Sequence, residues 1–212
     1  TPNWGTNWGA GDVMYANLDG KEGVNNGSNT LEDHGDLTII GNNTPRYNFG
    51  LTLTGAWKGF DFSVFLQGVM KRDYWLDGPY FWGANGGLWQ STAFKEHMDY
   101  WRPEGDPLGA NTNAYYPKPY FNTDKNQKVQ SGYLQNAAYC RLKNAQIGYT
   151  LPKIWTRKAA MESVRVYVSG DNLVTFSGIS GVFDPELLGS DWGDGKLYPL
   201  QRTISIGLNV NF

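Results

Sequence analysis

The sequence predicts an all-β fold whose strands belong to a transmembrane antiparallel β-barrel with long extracellular loops. Five segments alternate apolar and polar side chains over about ten residues, the length with which a tilted strand crosses a bilayer. Their connections are alternately short and long, as in outer-membrane barrels. The last segment is apolar on one face and small and polar on the other, and it reaches an aromatic residue, Phe212. That pattern is typical of a strand between lipid and a wet lumen.

The alternation defines each strand in turn. In the first four strands apolar side chains recur at every second position, and in the last strand Ile204, Ile206 and Leu208 continue the pattern. In the third strand the apolar positions change parity between Leu142 and Ala145, which predicts a β-bulge near Lys143-Asn144. The predicted strands cover residues 46–56, 59–70, 138–150, 163–173 and 202–212.

The connections predict which end of each strand faces the cell exterior. Trp57-Lys58 forms a tight hairpin and residues 151–162 a short connection, whereas residues 71–137 and 174–201 form long loops. With a periplasmic C-terminus, both long loops and the leading segment, residues 1–45, are expected outside the cell. Because five strands cannot close a barrel, the remaining strands are expected from the rest of the polypeptide or from other chains.

Composition excludes several protein classes. The chain has 212 residues, a formal net charge of −2 and a mean hydropathy of −0.50, so it has no basic footprint for nucleic acid. No run approaches the roughly 18 apolar residues of a membrane helix. The single cysteine, Cys140, allows no internal disulfide. The first residues lack the pattern of a signal peptide, so any export signal is expected upstream, in a longer polypeptide.

Several blocks along the chain, in order and at consistent spacing, resemble the closing part of SusC/RagA-type TonB-dependent outer-membrane transporters. The resemblance covers nearly the whole sequence, which makes it more specific than one short motif. The blocks are DLTIIG at 36–41, PRYNFGL at 45–51, KGFDFSVFLQG at 58–68, YWRPE at 100–104, YCRLKNAQIGYTLP at 139–152, VRVYVSGDNL at 164–173 and YPLQRTISIGL at 198–208.

The resemblance implies a bacterial outer-membrane location and a parent barrel of about 22 strands, closed by an N-terminal plug. It implies a SusD-like surface lipoprotein as a lid, and a TonB complex that acts through an N-terminal part absent from this sequence. The family imports oligosaccharides and sometimes peptides. This chain would then supply the last five strands and their loops, without catalysis and without a cofactor.

The loop over residues 71–137 is rich in tryptophan and tyrosine. Aromatic faces stack on the apolar faces of sugar rings, so Trp75, Trp82, Trp89 and Trp101 are the candidate substrate contacts. The alternative is that most loop aromatics pack on one another or against a lipoprotein lid, since tyrosine and tryptophan also dominate interfaces. We expect packing for most and substrate contact for a few.

The segment from Asn17 to Asn25 resembles a degenerate calcium loop. Relatives carry alternating acids here, whereas this chain has Asn17 at the first position and Lys21 among the acids. An ammonium among the ligands opposes a divalent cation, so an ordinary turn is expected and no metal is assigned. The weak candidate ligands are Asn17, Asp19, Glu22, Asp33 and Asp36.

Two other functions stay open at this point. A secreted β-sandwich carbohydrate-binding module would share the strands and the exposed aromatics, although it gives no reason for one-sided loop lengths. An enzyme would need reacting groups, and the two histidines, His34 and His97, lie in separate loops with no nucleophile or HExxH motif nearby. We therefore expect no catalytic residues.

Overall fold

The computed structural model describes residues 8–83, 93–120, 125–189 and 195–212, which divide between two compact units. The first, here called the sheet unit, contains Asn43–Tyr74, Gln135–Leu188 and Tyr198–Phe212. The second, the loop unit, contains the described residues of 8–42, 75–134 and 189–197. Within the described ranges, no helix is long and apolar enough to cross a membrane.

Antiparallel strands make up most of the regular secondary structure of the described residues. The strands are β1 (Arg46–Trp57), β2 (Phe60–Lys71), β3 (Asp73–Tyr74), β4 (Gln135–Asn136), β5 (Tyr139–Thr150), β6 (Ser163–Ser177) and β7 (Thr203–Asn211). Single helical turns form α1 (Pro79–Trp82) and α2 (Lys153–Thr156), and 3₁₀ turns form at Lys95–Met98, Ser131–Tyr133 and Arg157–Ala159. The main sheet has the order β1-β2-β5-β6-β7, and β3 pairs with β4 as a separate ribbon.

Each predicted strand is observed close to its expected position, and the differences have local causes. The first hairpin turns through Lys58 and Gly59, one residue later than predicted, because both residues have positive φ, as a two-residue type I′ turn requires. Strand β6 continues four residues beyond the predicted end, past a kink at Asn172, whose φ is +51°. The predicted loop over residues 71–137 also contains the two-residue strands β3 and β4, which are too short to be recognised from alternating side chains.

The bulge expected in the third predicted strand is confirmed. Phe65 and Leu66 of β2 pair with Asn144 and Leu142 of β5, so Lys143 is the extra residue against β2. Against β6 the register also shifts at Lys143, but there the extra residue lies in β6, between Asp171 and Val174. The shift keeps Leu142 and Ala145 on the same face although they are three positions apart.

Strand register aligns the apolar positions into one continuous face. Phe62 lies opposite Ile147, Ile147 opposite Val168, and Val168 opposite Ile206. Directly opposed residues share a face, so this row crosses four strands. Phe62 is 49% exposed, Ile147 56% and Ile206 80%, so the face is apolar and open. Rows above and below it contain Leu53, Val64, Leu66, Leu142, Val166, Leu208 and Ile204.

The opposite face is polar and cross-linked. Arg165 of β6 donates from Nε to Asp61 Oδ1 of β2 at 2.9 Å, spanning the intervening strand β5. Its guanidinium passes over Gly148, where a Cβ would lie 2.4 Å from Nη2. Tyr167 covers Gly207 of β7 in the same way. As the alternation predicts, Arg165 and Tyr167 therefore lie on the face opposite the exposed apolar one.

The loop unit has its own small core, made of aromatic and aliphatic side chains. Leu76 and Phe81 are fully buried beside Trp82 and Tyr116. A buried ion pair joins distant segments of this unit, with Lys125 Nζ 2.8 Å from Asp12 Oδ2. The same ammonium lies over the rings of Trp8 and Tyr120. The described part of this unit is therefore held by ring packing and by the buried Asp12–Lys125 pair more than by regular secondary structure.

Candidate functional site

A cavity of about 310 Å³ lies within the loop unit and is lined mainly by rings. Turn α1 positions one wall, because Pro79 begins it and Gly83, with φ +70°, ends it. Trp82, the last residue of α1, is held by a hydrogen bond of 2.9 Å from Nε1 to the Leu76 carbonyl. The principal lining side chains are Trp82, His97, Tyr100, Tyr116, Pro119 and Tyr120.

Local backbone geometry explains why a histidine ring lies beside α1. A Cβ on Gly83 would lie 2.8 Å from His97 Nδ1, so only glycine leaves room for the imidazole there. His97 Nδ1 accepts a hydrogen bond from the Phe94 amide at 3.0 Å. Its Nε2 lies 3.1 Å from the Tyr80 carbonyl, which can only accept, so Nε2 carries the proton. Both ring nitrogens are engaged with backbone, so His97 is not positioned as a catalytic base.

Other polar groups in the wall are also engaged. The buried Asn126 amide donates to Asp12 Oδ1 and to the Lys118 carbonyl, both at 3.0 Å. Its oxygen accepts from the Val13 amide at 3.1 Å. Burial raises the pKa of Tyr116 far above its ordinary value, so its phenol stays neutral. The cavity therefore presents mostly ring faces and methylene groups to a ligand.

The predicted tryptophan contacts separate into three groups. Trp75 and Trp82 lie together, with ring centroids 5.8 Å apart, and Trp82 lines the cavity. Trp101 instead packs over Gly11, where a Cβ would lie 2.4 Å from its ring. Trp89 lies outside the described residues. Of the three tryptophans that the structure describes, only Trp82 is a wall residue of this cavity.

The calcium-like segment is organised by hydrogen bonds from the backbone. Asp36 accepts from the amides of Leu18, Asp19 and Asn25, which hold the pKa of its carboxyl below the ordinary value. The Lys21 ammonium lies 3.5 Å from Asp19 Oδ2 and 3.8 Å from Asp33 Oδ1.

The other weak metal candidates have equally local environments. The Asn17 amide donates to the carbonyls of Lys21 and Gly23, and Glu22 is exposed. Among the described residues, no group of three or more His, Cys, Asp or Glu side chains could hold a metal ion. The weak metal candidates thus form a turn closed by backbone amides and by Lys21.

In the sheet unit, the last long connection is tied to the sheet by acidic residues. Arg141 of β5 is 3% exposed, and its Nη2 donates to Asp184 Oδ1 at 2.6 Å. Its Nη1 lies 3.2 Å from Glu186 Oε1, and Lys143 Nζ binds the other Glu186 oxygen at 2.9 Å. Asp184 and Glu186 are therefore structural anchors in this structure.

Sequence reasoning missed most of the cavity wall. Tyr100, Tyr116 and Tyr120 were visible as loop aromatics, but nothing in a non-periodic segment shows which rings converge. The prolines at 117 and 119, which stiffen the chain between two of these tyrosines, were the one available signal.

Comparisons with known proteins support the resemblance given by the sequence blocks. TonB-dependent receptor P3 of Formosa agariphila is 30% identical over 95% of this chain, which covers 19% of that protein. TonB-dependent receptor SusC of Bacteroides thetaiotaomicron is 26% identical over 88% of this chain and 17% of its own length. The chain spans about a fifth of the length of these relatives. No protein-family model matches the chain.

Solved structures give the same relationship. The RagAB peptide importer in its closed-closed state matches 82% of this chain with a TM-score of 0.60 and 25% identity, over 18% of that chain. A structure of the RagAB peptide transporter matches 78% of this chain with a TM-score of 0.57 and 26% identity, over 17% of that chain.

Proposed function

Because this chain is similar over most of its length to TonB-dependent receptors of the SusC and RagA type, we propose that its parent is a TonB-dependent importer of the outer membrane. The chain would contribute five strands of barrel wall and their external loops. The observation that carries this proposal is the continuous, exposed apolar face of the five-stranded sheet, opposite a polar face cross-linked by Arg165 and Asp61. Such two-sidedness suits lipid on one side and a wet lumen on the other.

Strand length fits the same proposal. Strands β1, β2 and β5 each have 12 residues. At about 3.3 Å per residue a 12-residue strand is about 40 Å long, and at a tilt of about 45° it spans about 28 Å of a bilayer. The hydrocarbon core is about 30 Å thick, so the span of these strands closely matches its thickness.

The imported nutrient is proposed to be an oligosaccharide or a peptide, with a SusD-like lipoprotein as the lid and the TonB complex as the energy source. The loop-unit cavity is the candidate contact with that nutrient, because its walls are aromatic and its size suits one ring or one large side chain. Transport of this kind forms and breaks no covalent bond in the nutrient. The engaged histidine His97 and the paired acids Asp184 and Glu186 agree with that role.

Equilibrium binding to the purified parent transporter, with its lipoprotein partner, tests the proposal. A panel of oligosaccharides and peptides should contain one class that binds. Replacing the cavity side chains Tyr100 and Tyr120 by alanine should weaken that binding about tenfold, since stacking on one ring contributes about 0.5–1.5 kcal/mol. Tyr198→Ala, at an exposed position of the sheet unit, is the matched control.

Two results would count against this reading of the cavity. Equal loss in the Tyr198→Ala control would show that the effect is not local to the cavity. Unchanged binding in the Tyr100 and Tyr120 variants would place the nutrient elsewhere while leaving the import function standing.

A further inference from the structure

Both short connections of the sheet lie at the same end, and both expose tryptophan. The register pairs Trp57 with Phe60, Phe60 with Tyr149 and Thr150 with Arg165, so the β1–β2 turn and the β5–β6 connection are neighbours. Trp57 is 69% exposed, Ile154 74% and Trp155 62%. We call this end, comprising Trp57, Lys58 and residues 151–162, the short-turn rim.

The longer of these connections is a folded platform. The Leu151 amide donates to the Val164 carbonyl, and the Glu162 amide donates to the Asn211 carbonyl of β7. Between them α2 and the following 3₁₀ turn close on each other through a bond from the Met161 amide to the Thr156 carbonyl at 3.1 Å. Thr156 is buried beneath. The exposed side chains of this segment are therefore presented from fixed backbone.

Positive charge is concentrated on the rim. Lys58, Lys153, Arg157 and Lys158 are all exposed, and Glu162 is the acidic side chain of the same segment. No ion pair links these four cations to another described residue. Lys58 Nζ lies 4.8 Å from the centre of the Trp57 ring. Four cations against one acid make the rim basic in a sequence whose net charge is −2.

The rim follows directly on the apolar face. Near this end the apolar face contains Phe60 and Tyr149, whose ring centroids are 4.5 Å apart, and Val166 opposite Leu208. Tryptophan and tyrosine collect where hydrocarbon meets headgroups, and long basic side chains reach past that boundary. The cations therefore lie at the depth at which lipid phosphates would be found.

From this juxtaposition we propose that the short-turn rim binds the anionic phospholipid headgroups of the adjacent membrane leaflet, with Trp57 and Trp155 as interfacial anchors. The inference rests on the proposed membrane-spanning function. An acidic soluble protein would also meet the charges, but it would have to bring its own apolar environment for Ile154 and Trp155, whereas the rim already adjoins the apolar face of the sheet. A lipid surface supplies both the negative phosphates and that apolar environment.

The test uses the full-length transporter, purified and offered equal amounts of phosphatidylcholine and phosphatidylglycerol in mixed micelles. Native mass spectrometry counts the lipids retained. The wild-type protein should retain the anionic lipid preferentially. Each basic side chain near an anionic surface contributes about fivefold in binding, so the triple variant Lys153→Gln, Arg157→Gln, Lys158→Gln should lose about a hundredfold of the preference. The matched control is the triple variant Lys71→Gln, Lys95→Gln, Arg202→Gln, at exposed positions outside the rim.

A milder variant keeps the test decisive if three substitutions disturb folding. Lys158→Glu should by itself lower the anionic preference, while Trp155→Ala should lower retention of both lipids. An equal preference for the anionic lipid in the rim and control variants would overturn the inference. Capture of an acidic protein in place of lipid would overturn it as well. Neither result would contradict the import proposal. A parent protein that stays soluble without any lipid or detergent would instead contradict the import proposal itself.

Discussion

A glycine near the C-terminal end of β5 allows an ion pair to pass over that strand. Gly148 lies beneath the Arg165 guanidinium, and any side chain there would push the guanidinium away from Asp61. Gly148→Ala should therefore lower the free energy of unfolding, because the added methyl group displaces the guanidinium from Asp61. Chemical denaturation of the reconstituted parent protein would measure the loss.

A double-mutant cycle separates this explanation from general crowding. If Gly148→Ala acts by breaking the ion pair, it should cost almost nothing in an Asp61→Asn background. Gly181→Ala is the control, since a Cβ there meets nothing within 4 Å. Additive losses for Gly148→Ala and Asp61→Asn would show that the ion pair is not what the glycine protects.

The Arg141 anchor predicts a pH dependence. Burial alone raises the pKa of Asp184, but hydrogen bonds from Arg141 and from the amides of Glu186 and Leu200 outweigh it and hold the pKa below its ordinary value. A carboxyl whose folded pKa is depressed contributes stability above its unfolded pKa of about 3.9, and that contribution is lost as pH falls through the folded pKa.

Protection of the Glu186 and Leu200 amides against hydrogen exchange should therefore be constant from about pH 7 to pH 5 and should fall below about pH 4. Asp184→Asn should reduce that protection at neutral pH, by up to about 3 kcal/mol in the free energy of opening. The reason is that the buried Arg141 guanidinium then lacks one of its two carboxylate partners. Unchanged protection in this variant would mean that the loop is held by other contacts.

Among the elements, the strands were predictable and the loop turns were not. Alternation of apolar and polar side chains over about ten residues can be recognised in the sequence itself. Even the extra residue Lys143 could be predicted, because the apolar positions change parity after Leu142. The wall of the cavity forms because tertiary folding brings Trp82, Tyr116 and Tyr120 together, and no local sequence pattern predicts that contact. Trp101 looked equivalent to Trp82 in sequence, yet it packs on Gly11.

The two faces of β7 predict opposite tolerance of charge. Ile206→Arg places a cation on the apolar face near the middle of the sheet, where it should cost about 2–4 kcal/mol in a bilayer. Ser205→Arg, one residue away on the polar face, should cost far less. Leu208→Arg, nearer the short-turn rim, should fall between them, since the cost decreases towards the interface. Unfolding of the full-length protein in lipid measures all three, and an equal cost for Ile206→Arg and Ser205→Arg would reject the face assignment.

For the whole molecule, the sheet unit and the loop unit support different parts of the proposal. The sheet unit carries the membrane argument, because its exposed apolar face is unsuited to water. The loop unit carries the nutrient argument through its aromatic cavity. Sequence periodicity could predict the first, whereas the second needed tertiary structure, since only folding brings Trp82 beside residues almost forty positions away.

The central claim is that one face of the sheet meets lipid and the other meets water in a bacterial outer membrane. Single cysteines at residues 204, 205, 206, 208 and 209 of the full-length protein, with Cys140 replaced by serine, would test it by labelling in isolated outer membranes. Cysteines at 205 and 209 should react with a water-soluble maleimide, and those at 204, 206 and 208 only with a lipid-soluble one. Uniform reaction with the water-soluble reagent at all five positions would contradict the claim.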